Sequence, residues 1–144
     1  VASYICEDDY EKAKSAALKM QEIFGKGNFF LEMQDHGISA QTKVNTALLK
    51  MSKETGIDLV ATNDIHYTFK EDAEAHDILL CIQTGKKVQD EDRMRYEGGQ
   101  YYLKSPEEMQ RLFPYAREAL ENTGEIAERC KCRNRIRRAE GAGI

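Results

Sequence analysis

Apolar residues recur every three or four positions near the start of the chain, which is the spacing of an amphipathic helix. Gly25 follows the repeat as a stop signal. Asp8 and Glu11 stand three residues apart, as in a capping box, and predict where the helix begins. The stripe expected to face the core consists of Tyr10, Ala13, Ala17, Met20 and Phe24.

A strand–helix–strand pattern comes next. Residues 29–33 and 58–62 are short apolar runs, which predict two buried strands. Residues 39–55 between them have helical periodicity and end at Gly56. Strands joined through a helix at this spacing pair in parallel, so we expect an α/β fold whose functional side chains gather beyond the carboxyl ends of the strands. The predicted inner face of this helix carries Val44, Leu48 and Met51.

The second half of the chain is predicted to be mainly helical. Residues 86–100 mix charges with glycines and indicate a loop, and residues 101–103 form a strand-like segment. Ser105, Pro106 and Glu108 combine an N-cap serine, a first-position proline and a capping acid, which predicts a helix start. A last helix is predicted from the stripe Ala116, Leu120, Thr123, Ala127 and Cys130.

Asp64 and His66 follow the second predicted strand and are the main candidate metal ligands. A carboxylate oxygen and a neutral imidazole nitrogen are donors that zinc, manganese and iron accept together. Glu32 and His36 lie at or just after the end of the first strand, at the same predicted edge. Asp64 and His66 also have an ordinary explanation, as a loop aspartate that makes a turn hydrogen bond and a partly packed histidine. His36, with Asp35, has one as a turn before a helix cap. His76, within the predicted helix over residues 73–82, is interpreted as structural.

Composition narrows the class of protein. The 144 residues are 41% hydrophobic and 32% charged, with a formal net charge of −4, which suits a soluble domain or part of one. No apolar run approaches the roughly 20 residues of a membrane span and no secretion signal is present, so a cytoplasmic location is expected. Positive charge is concentrated in residues 129–138, and the acidic remainder is not typical of a duplex-DNA binder. The cysteines lack a disulfide or zinc-knuckle spacing, and one of them is predicted to be a small buried apolar residue, namely Cys81.

Five segments together resemble the PHP (polymerase and histidinol phosphatase) domain of the alpha subunit of bacterial DNA polymerase III. They are FLEMQDHG at 30–37, VATNDIHY at 60–67, DAEAHDILLCIQTG at 72–85, YLKSPEEM at 102–109 and NTGEIAERC at 122–130. The resemblance runs in order along residues 1–130 and then stops, because the family continues with apolar and aromatic residues where this chain is basic. Residues 1–130 are therefore interpreted as the C-terminal portion of a PHP domain, and 131–144 as a basic, disordered tail.

The resemblance implies part of a distorted (β/α)7 barrel with parallel strands and C-terminal helices, whose metal cluster lies at the carboxyl ends of the strands. It places Asp64 and His66 on the family's last Asp-x-His ligand pair, and it keeps Glu32 and His36 as further candidates. The other ligands of the family would precede Val1, so the fragment is expected to bind metal weakly or not at all. A complete site would hold zinc or manganese, and the parent polymerase would use magnesium.

The parent implied by the resemblance is a DNA-directed DNA polymerase, a nucleotidyltransferase of DNA replication. Its partners would be DNA, deoxynucleotides, the sliding clamp and other replicase subunits, with no membrane. The palm and its catalytic aspartates are absent from this chain, so no catalytic residue is assigned and the fragment is expected to be inactive. Two alternatives stay open: a free-standing PHP-family metal-dependent phosphoesterase, and a non-catalytic scaffold that binds a proofreading subunit.

Overall fold

Six α-helices and two short strands make up residues 1–131, the part of the chain that the computed structural model describes. Two single 3-10 turns, Lys70–Asp72 and Glu97–Gly99, lie in the connecting loops. Apart from Lys131, the tail predicted at 131–144 lies outside the described residues, as does Cys132. The elements are α1 Ala2–Cys6, α2 Tyr10–Phe24, β1 Leu31–Met33, α3 Ser39–Thr55, β2 Leu59–Ala61, α4 Ala73–Thr84, α5 Pro106–Leu112 and α6 Arg117–Arg129.

The predicted strand–helix–strand unit is present, and its two strands are parallel. Leu31 pairs with Leu59 and Met33 with Ala61, so both strands end at the same edge of the sheet. α3 connects them and ends at Gly56, whose φ of 67° is in the left-handed region that favours glycine at a helix C-terminus. Mixed helices with a small parallel sheet are an α/β arrangement, as predicted from the hydrophobic pattern.

The core lies between the sheet and the helices packed around it. Leu31 and Met33 of β1 are almost completely buried, as are Leu48 and Met51 of α3, so the predicted inner face of α3 is confirmed. Phe113, which caps the end of α5, is 1% exposed and completes this cluster. The predicted start of α5 is also confirmed, because Ser105 and Glu108 exchange side chain-to-backbone hydrogen bonds at 3.2 and 2.8 Å.

α2 follows its predicted stripe only in its first half. Ala13 and Ala17 are completely buried, whereas Met20 is 41% and Phe24 58% exposed, so the other described residues leave the second half of this stripe largely uncovered. The predicted cap is displaced by one residue: Asp9, not Asp8, accepts a hydrogen bond from the Lys12 amide at 3.0 Å. Asp8 has a positive φ of 62° and belongs to the turn between α1 and α2.

α6 lies against the outer edge of β2. Its buried side chains are Ala119 and Asn122, and the Asn122 amide donates a hydrogen bond to the Leu59 carbonyl at 2.8 Å. The predicted stripe is therefore rotated: Ala116 and Leu120 do reach the core, but Thr123, Ala127 and Cys130 are exposed. The shift arises because a polar residue, Asn122, occupies the centre of the packed face to satisfy a strand carbonyl.

The remaining predicted elements are partly confirmed. Residues 86–100 form a loop, as expected, but residues 101–103 are not a strand, since Tyr102 makes only an isolated bridge with Tyr67. Cys81 is 5% exposed within α4, as predicted for a small buried apolar residue. Across residues 1–131, none of the helices has the length and apolar character required to cross a membrane.

A candidate metal-binding loop beside the parallel strands

The loops that leave β1 and β2 lie side by side at the carboxyl edge of the sheet. The Thr62 amide donates to the Met33 carbonyl at 3.0 Å, which continues the strand pairing by one step. Beyond it, Asp64 Oδ1 lies 3.4 Å from His66 Nε2. The Asp64 side chain is 49% exposed and that of His66 28%, so both groups are accessible from solvent. The structure therefore brings the two main candidate ligands together.

Asn63 holds this loop through three hydrogen bonds. Its side-chain amide nitrogen donates to the Tyr102 carbonyl at 2.5 Å, and its side-chain oxygen accepts from Lys104 Nζ at 3.0 Å. Its backbone carbonyl accepts from His36 Nε2 at 2.8 Å. Asp64, the next residue, has a φ of 45°, in the left-handed region where a non-glycine residue is strained. The three hydrogen bonds of Asn63 thus hold the start of the turn that carries Asp64 and His66.

The other two candidate ligands lie nearby but are engaged with the protein. His36 is 3% exposed, and both of its ring nitrogens have hydrogen-bond partners: Nε2 contacts the Asn63 carbonyl and Nδ1 contacts Gln41 Nε2 at 2.9 Å. Glu32 Oε1 accepts a hydrogen bond from the Thr62 hydroxyl at 2.6 Å. As ligands, Glu32 and His36 stay predictions, and each would have to exchange one of these hydrogen bonds for a metal.

Asp35, which lies between them, makes the turn hydrogen bond expected of an aspartate. Its Oδ1 accepts from the Gly37 amide at 2.9 Å. Gly37 has a φ of 79°, so this turn needs glycine at its tip. The segment that joins β1 to α3 is thereby shaped by local turn chemistry, and its buried histidine is directed towards the neighbouring loop.

A cluster of aromatic and imidazole rings surrounds His66. The hydrophobic periodicity of the sequence did not predict this cluster. The ring centroid of His66 lies 4.3 Å from that of Tyr96, 5.4 Å from that of His76 and 5.7 Å from that of Tyr101. His36 stacks on Tyr101, with centroids 4.1 Å apart. The three histidines of the chain therefore occupy one cluster. The sequence had predicted His36 at the same sheet edge as Asp64 and His66, but it gave no such link for His76.

His76 was predicted to be structural, and its contacts are with rings. It lies 5.3 Å from both Tyr67 and Tyr96, centroid to centroid. Its helix, α4, begins beside the candidate loop, which places its first turn against His66. The one sequence signal for this proximity is the short connection of residues 68–72 between the loop and α4.

Lys104 is a buried cation beside the same loop. It is 8% exposed, donates to the Gln100 carbonyl as well as to Asn63, and lies 4.3 Å from the Tyr102 ring centroid. Burial lowers the pKa of the Lys104 ammonium from its ordinary value. A cleft of about 420 Å³ opens next to this lysine, between the end of β2 and helices α5 and α6.

Asp64 and His66 fit the donor chemistry of a transition-metal or zinc site, but they supply only two donors. Zinc sites use about four ligands, or three with an open position. Within residues 1–131, no three or more His, Cys, Asp and Glu side chains are arranged to hold a metal ion. Two donors are fewer than such a site needs, so further ligands would have to join this pair.

Known proteins resemble this chain along most of its length. No family model matches the chain. Over most of its length the chain is similar to a segment of DNA polymerase subunits.

The relatives are DNA polymerase III alpha subunits. The chain is 49% identical over 121 residues to the protein from Campylobacter jejuni, a match that covers 84% of the chain and 10% of that protein. It is 48% identical over 126 residues to the Borreliella burgdorferi protein, with coverages of 88% and 11%. It is 40% identical over 133 residues to the Thermus aquaticus protein, with coverages of 90% and 11%. The chain thus spans about a tenth of the length of the curated relatives it matches.

Proposed function

We propose that this chain is a segment of a DNA polymerase III alpha subunit and belongs to its PHP domain. The similarity to alpha subunits at 40–49% identity, over most of the chain, is the observation that supports this proposal. The full protein would be a DNA-directed DNA polymerase that uses magnesium, is cytoplasmic, and works with DNA, deoxynucleotides, the sliding clamp and other replicase subunits. In this proposal residues 1–130 are the C-terminal portion of the domain, and no residue of this chain takes part in nucleotidyl transfer.

The proposal includes a distorted (β/α)7 barrel, to which β1 and β2 would contribute two neighbouring strands. Parallel pairing and the placement of both loops at one edge support it. Large apolar side chains left exposed also support further polypeptide around this segment, because an exposed apolar patch marks a surface that packs against something else. They include Phe24 on α2 and, on α4, Ile78, Leu79 and Ile82.

We propose that Asp64 and His66 are two ligands of a zinc or manganese cluster that the rest of the domain completes. Their contact at 3.4 Å supports this assignment. When bound, the metal ions would lower the pKa of a water molecule and stabilise charge on a phosphodiester. Asp64 would contribute an anionic oxygen and His66 a neutral ring nitrogen. Tyr96 and His76 pack on the His66 ring, which limits its rotation and keeps its nitrogens oriented.

The activity proposed for this site is 3′–5′ proofreading hydrolysis. It is tested by measuring the release of 3′-terminal nucleotides by the full-length alpha subunit, purified free of other subunits, and by its His66→Ala variant. Ile65→Ala is the matched control, because Ile65 lies in the same loop, is 52% exposed and has no ligand chemistry. The proposal predicts that His66→Ala loses most of the nucleotide release while Ile65→Ala keeps it, with primer extension unchanged in both.

Equal release by all three proteins would remove His66 from any hydrolytic role. The scaffold alternative would then be favoured, in which this segment only stabilises the polymerase or binds a proofreading subunit. The exposed apolar residues of α4 are the observation on its side. A free-standing phosphoesterase is less well supported, because the match to this chain covers only 10–11% of each alpha subunit.

A further inference from the structure

We propose that His36 is a positioning residue, not a metal ligand: it ties the loop after β1 to the loop that carries Asp64 and His66. This inference rests on the proposed metal function of that pair. Histidine often coordinates metals, but the surroundings of His36 indicate a different role.

The partner of Nε2 fixes which ring nitrogen carries the proton. Nε2 lies 2.8 Å from the backbone carbonyl of Asn63, and a carbonyl oxygen can only accept. Nε2 must therefore be protonated and donate. In a neutral imidazole with the proton on Nε2, Nδ1 has a lone pair and accepts.

Gln41 supplies the matching donor. Its side-chain oxygen accepts from the His36 amide at 2.7 Å, which orients the side-chain NH2 towards Nδ1 at 2.9 Å. One glutamine thus pairs with both the backbone and the ring of His36. The result is a neutral ring in a single tautomer with neither nitrogen free.

Packing holds the ring in this orientation. Tyr101 stacks on His36 with an interplanar angle of 11°, and the His36 residue is only 3% exposed. Tyr101 itself is 7% exposed and its backbone carbonyl accepts from the His66 amide at 2.8 Å. A rotation of the ring that moved Nε2 away from Asn63 would break this hydrogen bond, and a change in the plane of the ring would also break the stack.

The hydrogen bond from His36 to the Asn63 carbonyl, called the tether below, acts at the residue directly before Asp64. Lys104 and the Tyr102 carbonyl hold the side chain of Asn63, and His36 holds its backbone carbonyl. Because the Asn63 carbonyl belongs to the peptide unit that leads into Asp64, its direction restricts the ψ of Asn63 and the φ of Asp64. Asp64 is thereby held at its strained φ of 45°. The conformation of the loop that carries Asp64 and His66 is therefore fixed by His36, in the loop after β1, and not by the metal ligands themselves.

The test compares His36→Gln with His36→Leu in the full-length alpha subunit, using Co²⁺ as the probe metal. Glutamine can place an amide NH2 near the position of Nε2 and donate to Asn63, whereas leucine cannot donate. A positioning role predicts that His36→Gln binds Co²⁺ within about threefold of wild type. His36→Leu should lose about tenfold in affinity, at the lower end of the 10–100-fold cost of removing a group that orients ligands.

The Co²⁺ absorption spectrum separates a tether from a ligand. At saturation the spectrum of both variants should match wild type, because no coordinating atom is lost. A changed spectrum in His36→Gln would show that His36 is a ligand and overturn the proposal. Wild-type affinity in His36→Leu would overturn it as well. If His36→Leu does not fold, Gln41→Met provides the second variant, with a predicted loss of affinity and an unchanged spectrum; unaltered affinity there would again contradict the tether.

Failure of the underlying metal proposal is recognised separately. If Asp64→Ala binds Co²⁺ as wild type does, Asp64 is not a ligand, and the tether is then judged by hydrogen exchange alone. Amides of residues 63–66 should exchange at least several-fold faster in His36→Leu and at the wild-type rate in His36→Gln. Equal exchange in both variants would remove the positioning role whatever the metal chemistry.

Discussion

Arg93 donates two parallel hydrogen bonds to the carboxylate of Asp77, at 2.5 Å to Oδ1 and 2.6 Å to Oδ2. The Arg93 side chain is 4% exposed, so the guanidinium is enclosed by the loop of residues 86–100. Asp77 directly follows His76 along α4, and Arg93 lies three residues before Tyr96. This ion pair therefore anchors the two segments whose rings pack on His66.

Asp77→Asn should destabilise the chain and loosen residues 86–100. Arg93 lowers the pKa of the Asp77 carboxyl, mainly through the hydrogen bonds between them. A carboxyl with a lowered folded-state pKa contributes stability above its unfolded pKa of about 3.9, and that contribution is lost as the pH falls through the folded value. Urea denaturation should therefore show Asp77→Asn to be less stable than wild type at pH 7, with the difference shrinking below about pH 4.

Glu121→Gln is the control for this ion pair. Glu121 pairs with Arg117 on the surface of α6, where the side chains are 63% and 87% exposed, and such exposed pairs contribute little. A loss of stability at pH 7 as large for Glu121→Gln as for Asp77→Asn would contradict the anchoring role of Arg93.

Asn122→Leu should destabilise the chain by about 1–3 kcal/mol, because it leaves the Leu59 carbonyl without its donor at the buried α6–β2 contact. Urea denaturation measures the loss. The neighbouring Thr123→Val serves as control: Thr123 is exposed and its hydroxyl donates to the Leu120 carbonyl in its own helix, so a change within about 0.5 kcal/mol is expected. Similar values for the two variants would mean that α6 does not satisfy the strand edge.

Two glycine-to-alanine substitutions should change the free energy of unfolding in opposite directions. Gly56→Ala forces a side chain into the left-handed region at the end of α3, at a cost of about 1 kcal/mol, although no atom lies within 4 Å of the added Cβ. Gly124→Ala lies inside α6 with equally open surroundings, and should stabilise by about 0.5–1 kcal/mol. Thermal unfolding of both variants is the check, and a shift of the same sign in both would be inconsistent with these backbone conformations.

Two substitutions of Asp64 should distinguish its effect on stability from its effect on metal binding. Asn tolerates a positive φ at least as well as Asp, whereas Ala does not, so Asp64→Asn should be within about 0.5 kcal/mol of wild type without metal and Asp64→Ala about 1 kcal/mol less stable. Both lose the anionic oxygen, so both should bind Mn²⁺ more weakly in the full-length subunit. Differential scanning fluorimetry and metal titration measure the two effects. Identical stability of the Asn and Ala variants would show that Asp64 is not held in the left-handed region.

Local patterns were sufficient to predict much of the fold. The parallel pairing of residues 31–33 with 59–61 follows from two apolar runs separated by one helix, and the start of α5 follows from Ser105 and Glu108. The predictions that failed depend on neighbours that the pattern does not specify. Met20 is apolar and correctly spaced but exposed, and Asn122 is polar yet buried, because each outcome depends on which surface the helix meets.

The candidate site divides in the same way. By itself the sequence determined that Asp64 and His66 come just after a strand, because they follow the apolar run of residues 58–62. It also determined that they lie close together, because one residue separates them in the chain. The parallel strands also predicted that His36 would lie at the same edge of the sheet. Only the tertiary structure decided that His76, Tyr96 and Tyr101 gather around His66, and that both ring nitrogens of His36 are engaged in hydrogen bonds. The physical reason is that hydrogen-bond direction and ring stacking are set by groups from distant parts of the chain, which meet only when the loops, α4 and the sheet edge have packed.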